Sequence, residues 1–301
     1  MSTSEVAASE TADHDLSAAL FSRSGFPPIK DLVPTSLQHV LASFAGVITP
    51  AMMIAVTCGF TPDQETAIIQ VALILSGIDI LLQQFPLFGR IGAGLPILTG
   101  VSFAFLPAFQ AVGLQFNFPT LLGAELVGGV VAILFGMFYS KVKWLFPPLV
   151  TGTVIFTIGV SLYPTAIRYM AGGAGSANFG SINNWIVGLL TFSVVFFLAN
   201  FGKGVLKLGS IFFGIIAGVV ISIPFGMVDT SEVLSSSWFS FPRFMPYEII
   251  FNPAACITLG VVYVMVNVQL IGDLSAATAG SMDRMPNERE IGGAIKAQGV
   301  V

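Results

Sequence analysis

Apolar segments long enough to cross a bilayer recur along this chain and confine it to one kind of fold. Eight can be delimited, near residues 36–57, 65–85, 91–112, 119–139, 145–163, 184–201, 208–228 and 254–280. A membrane-crossing helix needs about 20 predominantly apolar residues. In hydrocarbon, backbone N–H and C=O groups must be satisfied within the protein, so segments of this length read as helices. Only 9% of residues are charged and 54% are hydrophobic, against roughly 25% charged in soluble domains. So few charges cannot cover a soluble surface. The fold class is all-α, a multi-pass protein of the cell membrane with the lipid bilayer as its first partner.

Lys and Arg set the expected topology. With a cytoplasmic N-terminus, the inner segments hold Arg23, Lys30, Arg90, Lys141, Lys143, Lys203, Lys207, Arg284, Arg289 and Lys296, and the outer ones only Arg168 and Arg243. Ten of the twelve positive charges then lie inside, as the positive-inside rule requires. One span more or fewer would scramble that asymmetry, so the reading is eight crossings with both ends inside. Residues 1–30 are rich in Ser, Ala and acid, and their first basic residue is Arg23. They lack the basic start and apolar core of a cleaved signal and read as a cytoplasmic tail. Cys58 and Cys256 form neither a disulfide framework nor a metal-ligand cluster.

Function is read from the polar residues that interrupt these spans. The last run, VVYVMVNVQLIGDLSAATAG, carries Asn267, Gln269 and Asp273. Gln269 and Asp273 are four residues apart and share one helix face. An unpaired acid in a span costs at least ~2.5–3.5 kcal/mol, so such residues mark sites that bind or move something. The third segment, IGAGLPILTGVSFAFLPAF, is broken by Pro96, Gly100 and Pro107. Irregular backbone at membrane depth persists only where it is buried in protein or lines a cavity. Gly/Pro-interrupted spans point to a secondary transporter's binding site, because they free backbone groups for a ligand; a plain proline kink is the simpler alternative. Gly214 and Gly218 in the seventh span read as close helix packing.

Three further polar residues are weighed singly. His39 either relays a proton or hydrogen-bonds a neighbouring helix as a buried imidazole. Asp79, within SGIDILLQQF, is either an ion-coupling acid or a partner of His39 or a backbone group. Glu125 lies near the start of the fourth span, within reach of interfacial water, and receives little weight. The chain contains no HExxH, P-loop, strand-linked GxGxxG or paired cysteines. An intramembrane serine protease is poorly served, because His14 lies in the tail and His39 is the only other histidine. The chain reads as a non-enzyme.

Several short motifs, in order, resemble the xanthine/uracil permeases, the nucleobase/cation symporters also called nucleobase–ascorbate transporters. They are Leu37-Gln38-His39-Val40-Leu41, Gly94-Leu95-Pro96 through Gly100-Val101-Ser102-Phe103-Ala104-Phe105, and Gln269-Leu270-Ile271-Gly272-Asp273. Gly159 to Arg168, followed by Gly172-Gly173, resembles the bacterial xanthine and urate branch. The resemblance runs from about residue 30 to the end.

That resemblance implies a fold of fourteen spans in two inverted repeats of seven, of which this chain holds the first repeat and the first span of the second. The implied division is a tail over 1–33, core spans one to four over 34–140 and gate spans five to seven over 141–229. A loop over 230–253, core span eight over 254–280 and a cytoplasmic end over 281–301 would complete it. The broken third span would carry a short strand-like segment. Substrate would lie between the third and tenth spans beside the eighth. Phe103 would stack on the base, with Ser102 beside it, and Gln269 would stand where the family usually has a base-binding glutamate. Asp273 would belong to the proton-linked network, supported by His39.

The implied activity is proton-coupled uptake of a nucleobase, xanthine or urate before uracil. It would proceed by movement of core against gate in a homodimer. No cofactor beyond the coupling proton is implied, with sodium left open, and no nucleic acid. An amide at 269 cannot carry a proton, which moves coupling to Asp273 or to Asp79, where the family usually has a small uncharged residue. The chain ends where the family enters the ninth span, so the resemblance implies that it does not transport alone. Two alternatives stay open. One is a non-transporting remnant or split-gene subunit. The other is an anion transporter of related fold, which would favour a basic residue near the broken span; none lies between Arg90 and Lys141.

Overall fold

The computed structural model describes residues 29–173, 176, 178–228 and 247–301. The expected tail with Arg23, and most of the loop expected over 230–253 with Arg243, lie outside these residues. Among the described residues the chain is helical and contains no strand. The helices are α1 (Ile29–Thr57), α2 (Pro62–Gln84), α3 (Leu106–Gln115), α4 (Phe118–Val142), α5 (Pro148–Ser161) and α6 (Tyr163–Met170). They continue as α7 (Ile182–Phe201), α8 (Val205–Leu208), α9 (Ser210–Ser222), α10 (Pro253–Met282) and α11 (Glu288–Val300).

Local chemistry sets several of their starts. Pro62 and Pro253 occupy first-turn positions, where the missing N–H costs nothing. Gln64 Oε1 accepts from the Thr61 N–H at 2.9 Å and anchors α2. Asn117 Oδ1 accepts from Thr120 N at 2.9 Å, Asn252 Oδ1 from Ala254 N at 2.9 Å, and Asn287 Oδ1 from Glu290 N at 2.9 Å. These caps satisfy backbone donors that a helix start leaves open.

Among the described residues, six helical stretches are long and apolar enough to cross a membrane: His39–Thr57, Pro62–Gln84, Phe118–Leu145, Pro148–Met170, Ile182–Phe201 and Pro253–Met282. Two shorter apolar stretches, Phe103–Gln115 and Ser210–Phe225, occupy the third and seventh expected spans. The third is short because its first half is not helical. The seventh starts late, after a break around Gly202 and Gly204, and ends at a left-handed Gly226 with φ 65°. Apolar side chains of α7 such as Leu189, Phe192 and Phe197 are exposed, as expected of a helix turned to lipid.

α10 sits at the centre of the packed half. One stretch of it, with Ala255, Leu259 and Val266, packs on Met53, Phe105, Phe109 and Leu121. The next, with Leu270, Ile271 and Leu274, packs on Leu95, Tyr139, Ile291 and Ile295. α11, within the segment read as the cytoplasmic end, lies against α4 with most of its residues buried. The contact runs through small residues: a Cβ on Gly292 would stand 2.9 Å from the Gly136 carbonyl, and one on Gly299 2.8 Å from the Gly129 carbonyl. Such close backbone approach is how helices associate without a hydrophobic drive between them. Gly214 and Gly218 do the same for α9, facing Val195 and Thr191 of α7.

Candidate functional site

The broken span is built on the end of α2. Gln83, fully buried, accepts from Ala93 N at 3.1 Å through its side-chain oxygen, and its backbone carbonyl accepts from Gly94 N at 2.6 Å. Gly92 has φ 113°, and a Cβ there would lie 1.9 Å from the Leu82 carbonyl oxygen, so only glycine fits this turn. Its N–H donates to the Gly293 carbonyl of α11 at 2.8 Å. Residues 96–102 then run without regular secondary structure. Ser102 has extended dihedrals and its Oγ accepts from Ala104 N at 3.2 Å, capping a 3₁₀ turn over Phe103–Phe105 that leads into α3. The expected strand-like segment is therefore extended at Ser102 but joins no ladder among the described residues.

Between this segment and α10 lies a cavity of about 400 Å³. Its walls include Thr99, Gly100, Ser102, Gln269, Asp273 and Gln298. The shared helix face read from the sequence thus brings Gln269 and Asp273 into one cavity with Ser102. The Gln269 amide lies against the Asp273 carboxyl, while its oxygen Oε1 is buried without a hydrogen-bond partner. Gln298 Oε1 and Thr99 Oγ1 are likewise buried and unpartnered. Buried polar atoms are nearly always satisfied, and each exception requires an explanation. Here three of them share one cavity beside backbone that no helix satisfies.

Two further cavities adjoin the broken segment. One, of about 460 Å³, is lined by Ser76 and Asp79 of α2, Gly100 and Ser102, Glu125 of α4 and Tyr263 of α10. Gly100, Val101, Ser102 and Gln298 line both this cavity and the first. Glu125, which the sequence placed near interfacial water, faces the same space as Asp79. The other cavity, of about 450 Å³, is lined by Phe103, Met53, Leu106, Leu162 and Tyr169 and is apolar throughout. Phe103 follows Ser102 in the chain but lines a different cavity from Gln269. His39 lies on the N-terminal half of α1 and lines none of the three.

Thr99, Gln298, Ser76 and Gln83 were not singled out from the sequence. Gln83 is an amide at the end of an apolar span, the same signal that marked Gln269, whereas Gln298 follows Lys296 in a mixed segment beyond the last expected span. Thr99 carried none, because a threonine in a span usually bonds back to its own helix, and only the broken backbone leaves its hydroxyl in a cavity.

Residues 30–301 match a family model described as a permease family. The chain is 32% identical over 270 residues to the uric acid permease PucK of Bacillus subtilis, covering 89% of this chain and 62% of that protein. It is 30% identical over 293 residues to the xanthine permease of Bacillus subtilis, covering 92% and 64%. With the uric acid transporter UacT of Escherichia coli it shares 30% identity over 247 residues, covering 80% and 51%. The chain therefore spans between half and two thirds of the length of these relatives, which are transporters and not enzymes. The motifs, the multi-pass helical fold and these matches agree: the chain is a cell-membrane protein belonging to the xanthine/uracil permease family, in its xanthine and uric acid branch.

Proposed function

We propose that the 400 Å³ cavity between the broken segment and α10 binds a purine nucleobase of the xanthine or uric acid type. The carrying observation is the set of unpartnered buried oxygens, Gln269 Oε1, Gln298 Oε1 and Thr99 Oγ1, on its walls. An oxidised purine presents alternating N–H donors and carbonyl acceptors along its edges. Amide oxygens accept from the former, and the Thr99 hydroxyl and an amide NH₂ donate to the latter. The Ser102 backbone adds polar groups at the end of the non-helical segment. Phe103 serves as stacking partner only if its ring turns from the apolar cavity across the segment. No lining residue of the site is basic, which disfavours an inorganic anion as ligand.

The names of the relatives extend the proposal to uptake of xanthine or urate. In this reading uptake is coupled to a proton, with Asp273 as the coupling acid, His39 in support, and the carrier a homodimer. Titrating the chain in lipid nanodiscs with xanthine, uric acid, uracil and sulfate tests the ligand. Saturable binding of the purines ahead of uracil and sulfate is the expected result. Sulfate binding with no response to any nucleobase would reassign the site to an anion.

A further inference from the structure

We propose that Asp79 is a proton-binding site separate from the nucleobase cavity, and that Gln83 links its protonation to the position of the broken segment. The ligand in this proposal rests on the nucleobase reading; the proton site does not. Ser76, Asp79 and Gln83 are spaced three and four apart on α2 and form one buried polar face. The broken segment passes directly over it. A Cβ on Gly100 would lie 2.9 Å from Ser76 Oγ. Thr99 Oγ1 comes within interaction reach of the Asp79 carboxyl, yet outside hydrogen-bond geometry. Gln83 holds Ala93 N at 3.1 Å.

Asp79 is 3% exposed. Gln83 Nε2 stands 3.4 Å from its Oδ1 and donates to the Ala294 carbonyl of α11 at 3.1 Å. An amide NH₂ has two hydrogens, so both are directed, one at the acid and one at α11, while the amide oxygen holds the broken segment. Any change at Asp79 is therefore felt at Ala93 and Ala294 together. The charged or titratable groups on or around this helix are Asp63 and Glu65 at its own first turn, His39 of α1, Arg90 in the turn that follows, Glu125 of α4, and Glu288, Arg289, Glu290 and Lys296 of α11. Arg289 donates to the Gly89 carbonyl, Glu288 pairs with Lys143, and Glu290 with Arg284. Of all these, only Glu125, another acid, lines the cavity of Asp79, and Tyr263 of α10, titratable but never a cation, lines it too.

No cation among the described residues is therefore placed to balance the carboxylate. An unbalanced carboxylate in an apolar setting is met most simply by a proton, which needs no coordinating shell. On protonation one O–H bond forms at the carboxyl and one negative charge disappears. The new O–H can donate to Thr99 Oγ1, and the Gln83 amide loses its ionic acceptor. The backbone from Ala93 to Ser102, which walls the nucleobase cavity, would shift with it.

The test combines proton-induced infrared difference spectra with xanthine titrations across pH, on the full chain in lipid nanodiscs. A protonated-carboxyl band absent from Asp79→Asn and shifted but present in Asp79→Glu is expected. Xanthine affinity should change by up to about tenfold per pH unit for each linked proton, lose the step due to Asp79 in Asp79→Asn while any step due to Asp273 remains, and move the midpoint of the Asp79 step in Thr99→Val. An undiminished band in Asp79→Asn, or an unchanged pH profile of binding, would overturn the proposal. If the band follows Asp79 while no variant binds xanthine, the proton site is upheld and the nucleobase reading falls.

Discussion

Gln83 and Ala294, 211 residues apart in the chain, are joined by a hydrogen bond of 3.1 Å from the buried glutamine amide to the helical carbonyl. The same amide accepts from Ala93 N, and Gly92 N reaches the Gly293 carbonyl at 2.8 Å. The turn that opens the broken span is therefore clasped between α2 and α11.

Replacing Gln83 by leucine keeps the volume and removes all three side-chain contacts. It leaves the Ala93 N–H buried without a partner, at about 1–3 kcal/mol, while the Ala294 carbonyl loses its second donor and keeps its helical one. Thermal unfolding in detergent should shift clearly downward. An unchanged midpoint would mean that the clasp carries no stability.

Two glycine substitutions should separate by sign. A Cβ on Gly293 would meet the Gly92 carbonyl oxygen at 2.2 Å, so Gly293→Ala forces α11 off the turn and costs roughly 1–3 kcal/mol. Gly280 in α10 has open space around it, and Gly280→Ala should be neutral or gain up to about 1 kcal/mol from helix propensity. Parallel melting curves decide; equal effects would contradict the packing described.

Gln269→Leu should weaken xanthine binding by roughly tenfold or more, because a purine polar group would then be buried unpaired. Phe103→Leu, on the wall of the apolar cavity, should alter binding less. Nucleobase titration of the two variants measures the ranking. A larger loss for Phe103 would show that its ring crosses to the base.

The Lys143–Glu288 pair ties the start of α11 to the end of the α4 stretch. The hydrogen bond from Lys143 holds the Glu288 carboxyl below the usual glutamate value of 4.5. A group whose value is lowered on folding stabilises the fold above its unfolded value, and that contribution is lost as pH falls through the lowered one. Glu288→Gln should therefore destabilise slightly near neutral pH and make no difference in acid well below 4.5. The pair is half-exposed, so salt should shrink even the neutral-pH effect. Melting of both proteins against pH, at low and high salt, checks the sign.

The six long spans, the interrupted third segment and the pairing of Gln269 with Asp273 were all legible along the chain. Run length and helical period are local quantities, and they need no partner to be counted. The same logic marked Asp79 as an acid that its span must accommodate. It missed that Ser76 and Gln83 complete its face, since a helical period does not tell which uncharged side chains find partners across the chain. It also joined Phe103 to Ser102 as neighbours, and in the structure Phe103 opens the 3₁₀ turn that Ser102 caps and lines a separate cavity from Gln269.

Sequence alone determined that this chain lives in a bilayer, where its long apolar helices lie, and where backbone groups are set free, because composition and periodicity act within single segments; the helix α11 within 281–301 was not among them. Only the tertiary structure decided which polar atoms meet. A helical period assigns a residue to a face but not to a neighbour. The glycine contacts between α4 and α11, and the glutamine clasp at the end of α2, choose those neighbours. They bring Thr99, Gln269 and Gln298 around one cavity and leave Asp79 on the other side of the same strip of backbone.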